Sequence, residues 1–363
     1  MRHKRLAKGF AHQMTERPAN RIIWLDLLRG AAIVMVLLFH FTVRYPQKYA
    51  GFVPEGAAFF SLGFGWIGVH LFFMISGFII YHTIQNKKGP LDFLSARLSR
   101  LVPPYWAAIV AILLLEIIHS QVFNEPNRNA LADTLFNFAM VPDIFDKRFL
   151  DGAFWSLYVE IKFYVFFALL WGLFDMRKRL FFYLSYAAVF AAAAVHFFVL
   201  KFPLGDNFYY FLIFWAGIGA YKVMREDLSI WEFLVIIIMT TAGTIGVYKD
   251  GNALIIGIPV FSILFLVAER AERSFPAAAR LFGPFAYLGR ISYSCYLLHQ
   301  PIGYIVLGAL AAAAFGYNAA LAAAVAACFI AAYIGFTFVE RLDKPIARMI
   351  MARIGKFERP YKK

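Results

Sequence analysis

Arg29 and His40 stand eleven residues apart within the apolar stretch RIIWLDLLRGAAIVMVLLFHF. A helix turns about 100° per residue, so eleven steps bring the chain back to within roughly 20° of its starting direction, about 16 Å further along the axis. One helix face therefore carries a guanidinium low and an imidazole high. An imidazole titrates near neutral pH and can take a proton from a reacting hydroxyl, or it can serve only as a hydrogen-bonded structural group. Arg29 can bind an anionic ligand, or pair with Asp26 three residues earlier and order that half of the helix. Ionisable groups in apolar surroundings are costly and usually line a polar cavity or a functional site.

Further along, Arg97 and Arg100 form an RxxR pair that the sequence places just before a third apolar span. Two guanidinium groups on adjacent turns suit phosphate oxygens, although arginines at such borders also serve as surface anchors. Glu160 in WSLYVEIKFY can accept a hydrogen bond from an imidazole or pair for structure alone, and Lys162, two positions on, faces away from it. His299 in SCYLLHQP is either a polar cavity wall or a helix-packing hydrogen bond, and His70 in GVHLFFMISG is a candidate substrate contact. Ser76 and Gly77 read as close helix contact, since no Gly-x-Ser-x-Gly elbow surrounds them. Cys295 and Cys328, the two cysteines, lie in apolar spans and read as packing residues rather than a disulfide or an acyl relay. No HExxH, Cys/His cluster, metal-spaced carboxylate group, P-loop or dinucleotide fingerprint occurs, so no metal is expected.

The elements that must hold these residues are membrane helices. The chain has 363 residues and is 61% hydrophobic, above the share in an ordinary soluble domain. Apolar runs recur near residues 22–44, 61–83, 101–120, 154–174, 180–200, 207–224, 231–248, 252–269, 285–310 and 318–339. Each is long enough to cross a bilayer as a helix, giving an all-α, polytopic bundle of about ten spans over 22–340 between basic segments 1–21 and 341–363. The first span lacks a cleavage site of signal-peptide type and is expected to be retained, with no soluble domain at either end. The formal charge of +14 falls on alternate connections (MRHKRLAK, QNKKGPLDFLSARLSR, DMRKR, KVMRE, ERAERSFPAAARLFGPFAYLGR and the tail ERLDKPIARMIMARIGKFERPYKK). That pattern is an orientation signal placing both termini in the cytoplasm, with attraction to anionic lipid, and no nucleic acid is needed. The segment 121–153 is the longest on the other side; its Leu135, Phe136, Phe138 and Met140 allow a short interfacial helix, and it serves either acceptor binding or simple connection. The Ala-rich run from Ala309 to Ala332 predicts close helix packing through small residues.

Six segments stand in order along the whole chain: LDLLRGAAIVMVLLFH, GVHLFFMISGFII, RLSRLVPPYW, FWSLYVEIKFY, ISYSCYLLHQPI and FVERLDKP. The series resembles the acyltransferase family 3 membrane proteins, bacterial enzymes that move acyl groups, often acetyl, from cytoplasmic acyl-CoA to extracytoplasmic saccharides. The resemblance implies that His40 is the catalytic imidazole with Glu160 in the site. It also favours Arg97 and Arg100 as contacts of the acyl-CoA donor, a role Arg29 can share, while His70, Trp155 and His299 are candidate acceptor contacts. His70 departs from the aspartate common at its position, so an acidic role does not carry over.

The function expected is an O-acyltransferase of the bacterial inner membrane, using acetyl-CoA or another acyl-CoA and a glycan or lipid-linked saccharide. Glycan-assembly proteins are candidate partners. Transfer can proceed by direct attack of the hydroxyl or through an acyl-histidine. The rival readings are a transporter of a saccharide or acyl compound, and a non-catalytic scaffold for glycan assembly.

Overall fold

The computed structural model describes residues 22–56, 58–124, 131–199, 207–225, 228–245, 252–275 and 282–340. The basic segments expected at 1–21 and 341–363 lie outside the described residues. Twelve helices carry the described chain: α1 Ile23–Phe39, α2 Gly68–Ile84, α3 Pro90–Phe123, α4 Leu131–Phe138, α5 Phe154–Leu173, α6 Arg179–Phe198, α7 Asn207–Arg225, α8 Ile230–Ile245, α9 Asn252–Ser274, α10 Gly283–Arg290, α11 Ser292–Ala312 and α12 Tyr317–Phe338. Among the described residues the fold is all-α, as expected.

Among the described residues eight helices are long and apolar enough to cross a membrane, α1 being counted through its extension to Lys48. The two other expected spans are present as α7 and α8. α8 has 16 residues, and α7 ends on Lys222 and Arg225. α7 is the central helix, with Phe211, Leu212, Phe214, Trp215 and Ala216 all buried. Its surroundings are other helices rather than lipid, so it can carry polar residues. The outer surface exposes Leu114, Ile117, Leu169, Leu173, Ile238, Ile256 and Ile330, an apolar belt suited to hydrocarbon.

Close approach of helices depends on glycine. A Cβ at Gly77 would fall 1.9 Å from the Phe214 carbonyl oxygen, and one at Gly217 would fall 1.9 Å from that of Met74. α2 and α7 therefore cross backbone to backbone, as Gly77 predicts. α12 packs on α11 through Ala320, Ala324 and Ala332, all fully buried, which bears out the small-residue reading of that stretch.

Two boundaries differ from expectation in ways that affect the site. α3 begins at Pro90 and runs for 34 residues, so Arg97 and Arg100 lie inside it rather than before it. Proline at the first position costs no hydrogen bond, which lets the helix start early. The single span expected at 285–310 is broken at Ile291 into α10 and α11. α10 presses against α1, where a Cβ at Gly289 would fall 1.8 Å from the Asp26 carbonyl.

Candidate active site

His40 begins a π-helical turn, His40–Arg44, inserted where α1 would otherwise continue. Such turns add a residue to the helix and recur at functional sites. The His40 Nδ1–H donates to the Val36 carbonyl at 2.8 Å. A carbonyl can only accept, so in the neutral ring Nδ1 carries the proton and Nε2 is left as a base. His299 on α11 repeats the arrangement: its Nδ1–H donates to the Tyr296 carbonyl at 2.7 Å, and its Nε2 is buried with no hydrogen-bond partner among the described residues. The two rings stand 4.7 Å apart, inclined at 75°.

Between α1, α2, α3, α5 and α11 lies a chamber of about 100 Å³, lined by Arg29, Arg97, Arg100, Glu160, Tyr164 and Tyr296 among others. Arg29 reaches Asp26 Oδ1 at 3.7 Å while lining this chamber, so the structural pairing and the cavity position coexist. Arg97 is buried. Its Nη2 donates to the Ile79 carbonyl at 2.9 Å and to the Thr83 hydroxyl. Arg100 is exposed at the mouth. This pair is therefore not two surface anchors: one arginine is built into the wall and the other faces out.

Glu160 accepts hydrogen bonds from Ser76 and from Tyr164, the latter at 2.5 Å. Neither donor is an imidazole, and Glu160 stands in the chamber wall. Ser76, read from sequence as helix contact, instead turns into the chamber because Gly77 beside it makes the crossing. Ser156 and Tyr296 close the inner end, their hydroxyls 2.6 Å apart. The Tyr296 ring is 5.6 Å from that of His299. Tyr296 thus joins the chamber wall to the histidine pair, which lies behind it.

Ser156, Tyr164, Tyr293 and Tyr296 were not singled out from sequence, although a signal was present. Ser156, Glu160 and Tyr164 recur every four residues, which puts all three on one face of α5. Glu340 was missed as well. It follows α12 and reaches back to accept from the Ser294 backbone N–H at 3.0 Å and its hydroxyl at 2.5 Å, in the first turn of α11.

His70 and Trp155 do not line this chamber. His70 is 1% exposed, packed against Trp66 and near Tyr210, and Trp155 packs on the same Tyr210 ring at 5.2 Å. Their shared element is an aromatic cluster beside the site. Cys295 and Cys328 are buried free thiols; the Cys328 Sγ–H points at the His299 carbonyl. Among the described residues no group of three or more His, Cys, Asp or Glu could hold a metal ion.

A second cavity of about 240 Å³ opens at the far end of the bundle, beyond the histidines. Gln300, next after His299, is in its wall together with Lys48, Glu116, Asp151 and Tyr304. Its rim is the segment after α4, held by Asn137. That side chain donates to the carbonyls of Asp133 at 2.8 Å and Arg148 at 2.7 Å, and accepts from Leu150 N–H at 3.3 Å. The segment 131–153 is therefore a built element, containing the short helix that its apolar residues predict.

The model of the acyltransferase domain family matches residues 22–340. The chain is 25% identical over 355 residues to the protein named as membrane-bound transacylase BcsY of Komagataeibacter xylinus, covering 89% of this chain and 83% of that one. It is 22% identical over 291 residues to the protein named as acetyltransferase ORF330 of Acidianus two-tailed virus, covering 75% and 80% respectively. With the O-acetyltransferase OatA of Staphylococcus aureus (strain NCTC 8325) it shares 24% identity over 326 residues, 77% of this chain but 50% of OatA. No solved structure matches the chain. With the family model covering every described helix and eight helices able to cross a membrane, the chain belongs to acyltransferase family 3, as a multi-pass membrane acyltransferase.

Proposed function

We propose that the protein transfers an acyl group, acetyl in the first instance, from acyl-CoA to a hydroxyl of an extracytoplasmic polysaccharide or lipid-linked saccharide. The observation that carries this reading is the tautomer of His40. With Nδ1–H given to Val36, Nε2 is left as the base, beside His299, whose neighbours Tyr296 and Gln300 line the chamber and the far cavity respectively. The arginine end is assigned to the cytoplasm, with both termini there, from the distribution of Lys and Arg. In a bacterium the membrane is the inner one.

The donor supplies the thioester carbonyl that is attacked. Arg100 at the mouth and Arg29 in the wall would meet the phosphates while the thiol arm lies along Arg97 and Tyr164. His40 Nε2 takes the acceptor hydroxyl proton as the oxygen forms its bond to the acyl carbon. The same proton then goes to the sulfur whose bond to that carbon breaks, giving ester and free thiol. Direct attack of this kind requires no acyl-enzyme. Glu160 positions Ser76 and Tyr164 and offsets the buried charge of Arg97.

The test uses purified protein in nanodiscs, wild type beside His40→Ala, with radiolabelled acetyl-CoA and an extract of lipid-linked saccharides. Label in a saccharide, lost in the variant, supports the reading. Folded wild type that neither binds nor consumes the donor would overturn it.

A further inference from the structure

The far cavity is built differently from the donor chamber. Its charged lining comprises Lys48, Glu116, Asp133, Arg148 and Asp151. The Arg148 guanidinium is engaged with Asp133, through Nε at 3.2 Å and Nη2 at 3.1 Å. That leaves Glu116 and Asp151 facing the space with Lys48, whose ammonium lies 4.9 Å from the Tyr49 ring and 5.8 Å from that of Tyr304. The donor chamber gathers three arginines, whereas carboxylates outnumber cations here. Such a lining disfavours an anion and offers both donors and acceptors to hydroxyl groups.

Three further features suit a ring bearing hydroxyls. Tyr49 and Tyr304 line the cavity with aromatic surface, their rings 5.7 Å apart and edge to face. Gln300 carries both an amide donor and an acceptor, and its Oε1 lies 2.9 Å from where a Cβ on Gly152 would fall, so the bare backbone there lets the amide sit against the rim. The Asn137 hydrogen bonds fix that rim in advance of any ligand, which lowers the ordering cost of binding. The cavity is also beside the chemistry: Gln300 adjoins His299, and the Tyr304 ring is 6.3 Å from Phe41, the residue after His40.

We propose that this cavity binds one uncharged, hydroxyl-bearing sugar ring of the acceptor, and that Glu116 and Asp151 select against acidic sugars. The inference rests on the acyl-transfer reading above. Asp151 contributes a hydrogen-bonding carboxyl whose Oδ1 accepts from the Ala153 backbone N–H at 2.8 Å, leaving its second oxygen for a ligand.

The experiment follows labelled acetyl transfer into a saccharide extract in nanodiscs at pH 8, above the value near 7 to which burial pushes the Asp151 carboxyl, with methyl glucopyranoside or methyl glucuronopyranoside as competitor. The two differ by a carboxylate on the same ring. In wild type the neutral glycoside is expected to compete at least about tenfold better. Glu116→Gln with Asp151→Asn should narrow that ratio toward unity, while the dissociation constant for acetyl-CoA stays unchanged. Equal or better competition by the uronate, competition by neither, or an unaltered ratio in the double variant would each overturn the proposal while transfer continues. If the double variant fails to fold, Lys48→Gln is read instead, and it should widen the preference for the neutral ring; an unchanged or narrowed ratio there overturns the proposal. Absence of any donor consumption by folded wild type sinks the acyl-transfer reading itself and is distinguishable from these outcomes.

Discussion

His40 and His299 face each other with ring centroids 4.7 Å apart, and each gives its Nδ1–H to a carbonyl one turn back on its own helix. Helical backbone thus sets the tautomer of both rings, and both keep Nε2 as a lone pair. A buried acceptor without a partner is costly, and sites that retain one usually have a use for it. Two neutral imidazoles at this distance can be neighbours, whereas two imidazolium ions would repel strongly in such buried surroundings. The pair is therefore able to hold one added proton at a time, as a single deprotonation of one hydroxyl requires.

The first prediction concerns His40 itself. His40→Ala is expected to lower transfer by roughly 10²- to 10⁴-fold, the usual contribution of a positioned general base. Acetyl-CoA affinity should change little, because the arginines are on the other side of the chamber. Calorimetric donor binding beside single-turnover transfer checks this; a variant that transfers at wild-type rate removes His40 from the chemistry.

Arg97→Ala removes a buried guanidinium held by Thr83 and the Ile79 carbonyl. A lost charge-assisted hydrogen bond to a phosphate or thiol arm costs about 1.5–3 kcal/mol, roughly 10- to 150-fold in donor affinity. Arg100→Ala, at an exposed mouth position, should cost less and should show the stronger salt dependence. Equal donor binding by all three proteins would place the donor elsewhere.

Gly77→Ala should destabilise the bundle, although Gly77 itself does not line the chamber. A methyl group 1.9 Å from the Phe214 carbonyl oxygen forces α2 and α7 apart, and overpacking of this kind costs about 1–3 kcal/mol or more. Thermal melting in detergent should fall by several degrees. An unchanged melting temperature would mean that the crossing is looser than described.

Asp151 makes stability at the far end depend on pH. Burial pushes its carboxyl up from 3.8 to about 7. Because the folded value lies above the unfolded one, the stabilisation from keeping this carboxyl neutral is complete below about pH 4 and is lost as the pH rises to about 7. Lys48, Glu116, His119, Asp133 and Arg148 share its cavity, and Tyr105, Tyr296 and Tyr304 are near enough to interact with it electrically. Asp151→Asn keeps a neutral side chain at all pH values, so its melting temperature should fall less than that of wild type between pH 5 and pH 8. Parallel curves would show that other groups in the cavity govern the dependence.

Sequence by itself determined the class of the molecule and the identity of its chemical face. Apolar runs near twenty residues can satisfy their backbone in hydrocarbon only as helices, so the all-α bundle follows from composition. The family and the helix face carrying Arg29 and His40 were legible because both depend on residue type and local spacing. Ser156, Glu160 and Tyr164, four residues apart on α5, were equally local but were overshadowed by the single carboxylate. What only the tertiary structure decided is what those faces meet. The partnership of His40 with His299 joins helices 259 positions apart in the chain, and the turn that begins at His40 has no residue signature of its own. Ser76 faces the chamber because Gly77 lets α2 touch α7, and His70 is enclosed by Trp66 and Tyr210 rather than facing either cavity. Helical period tells which residues share a face; packing of one helix on another, governed by small residues and side-chain shape, tells what that face sees.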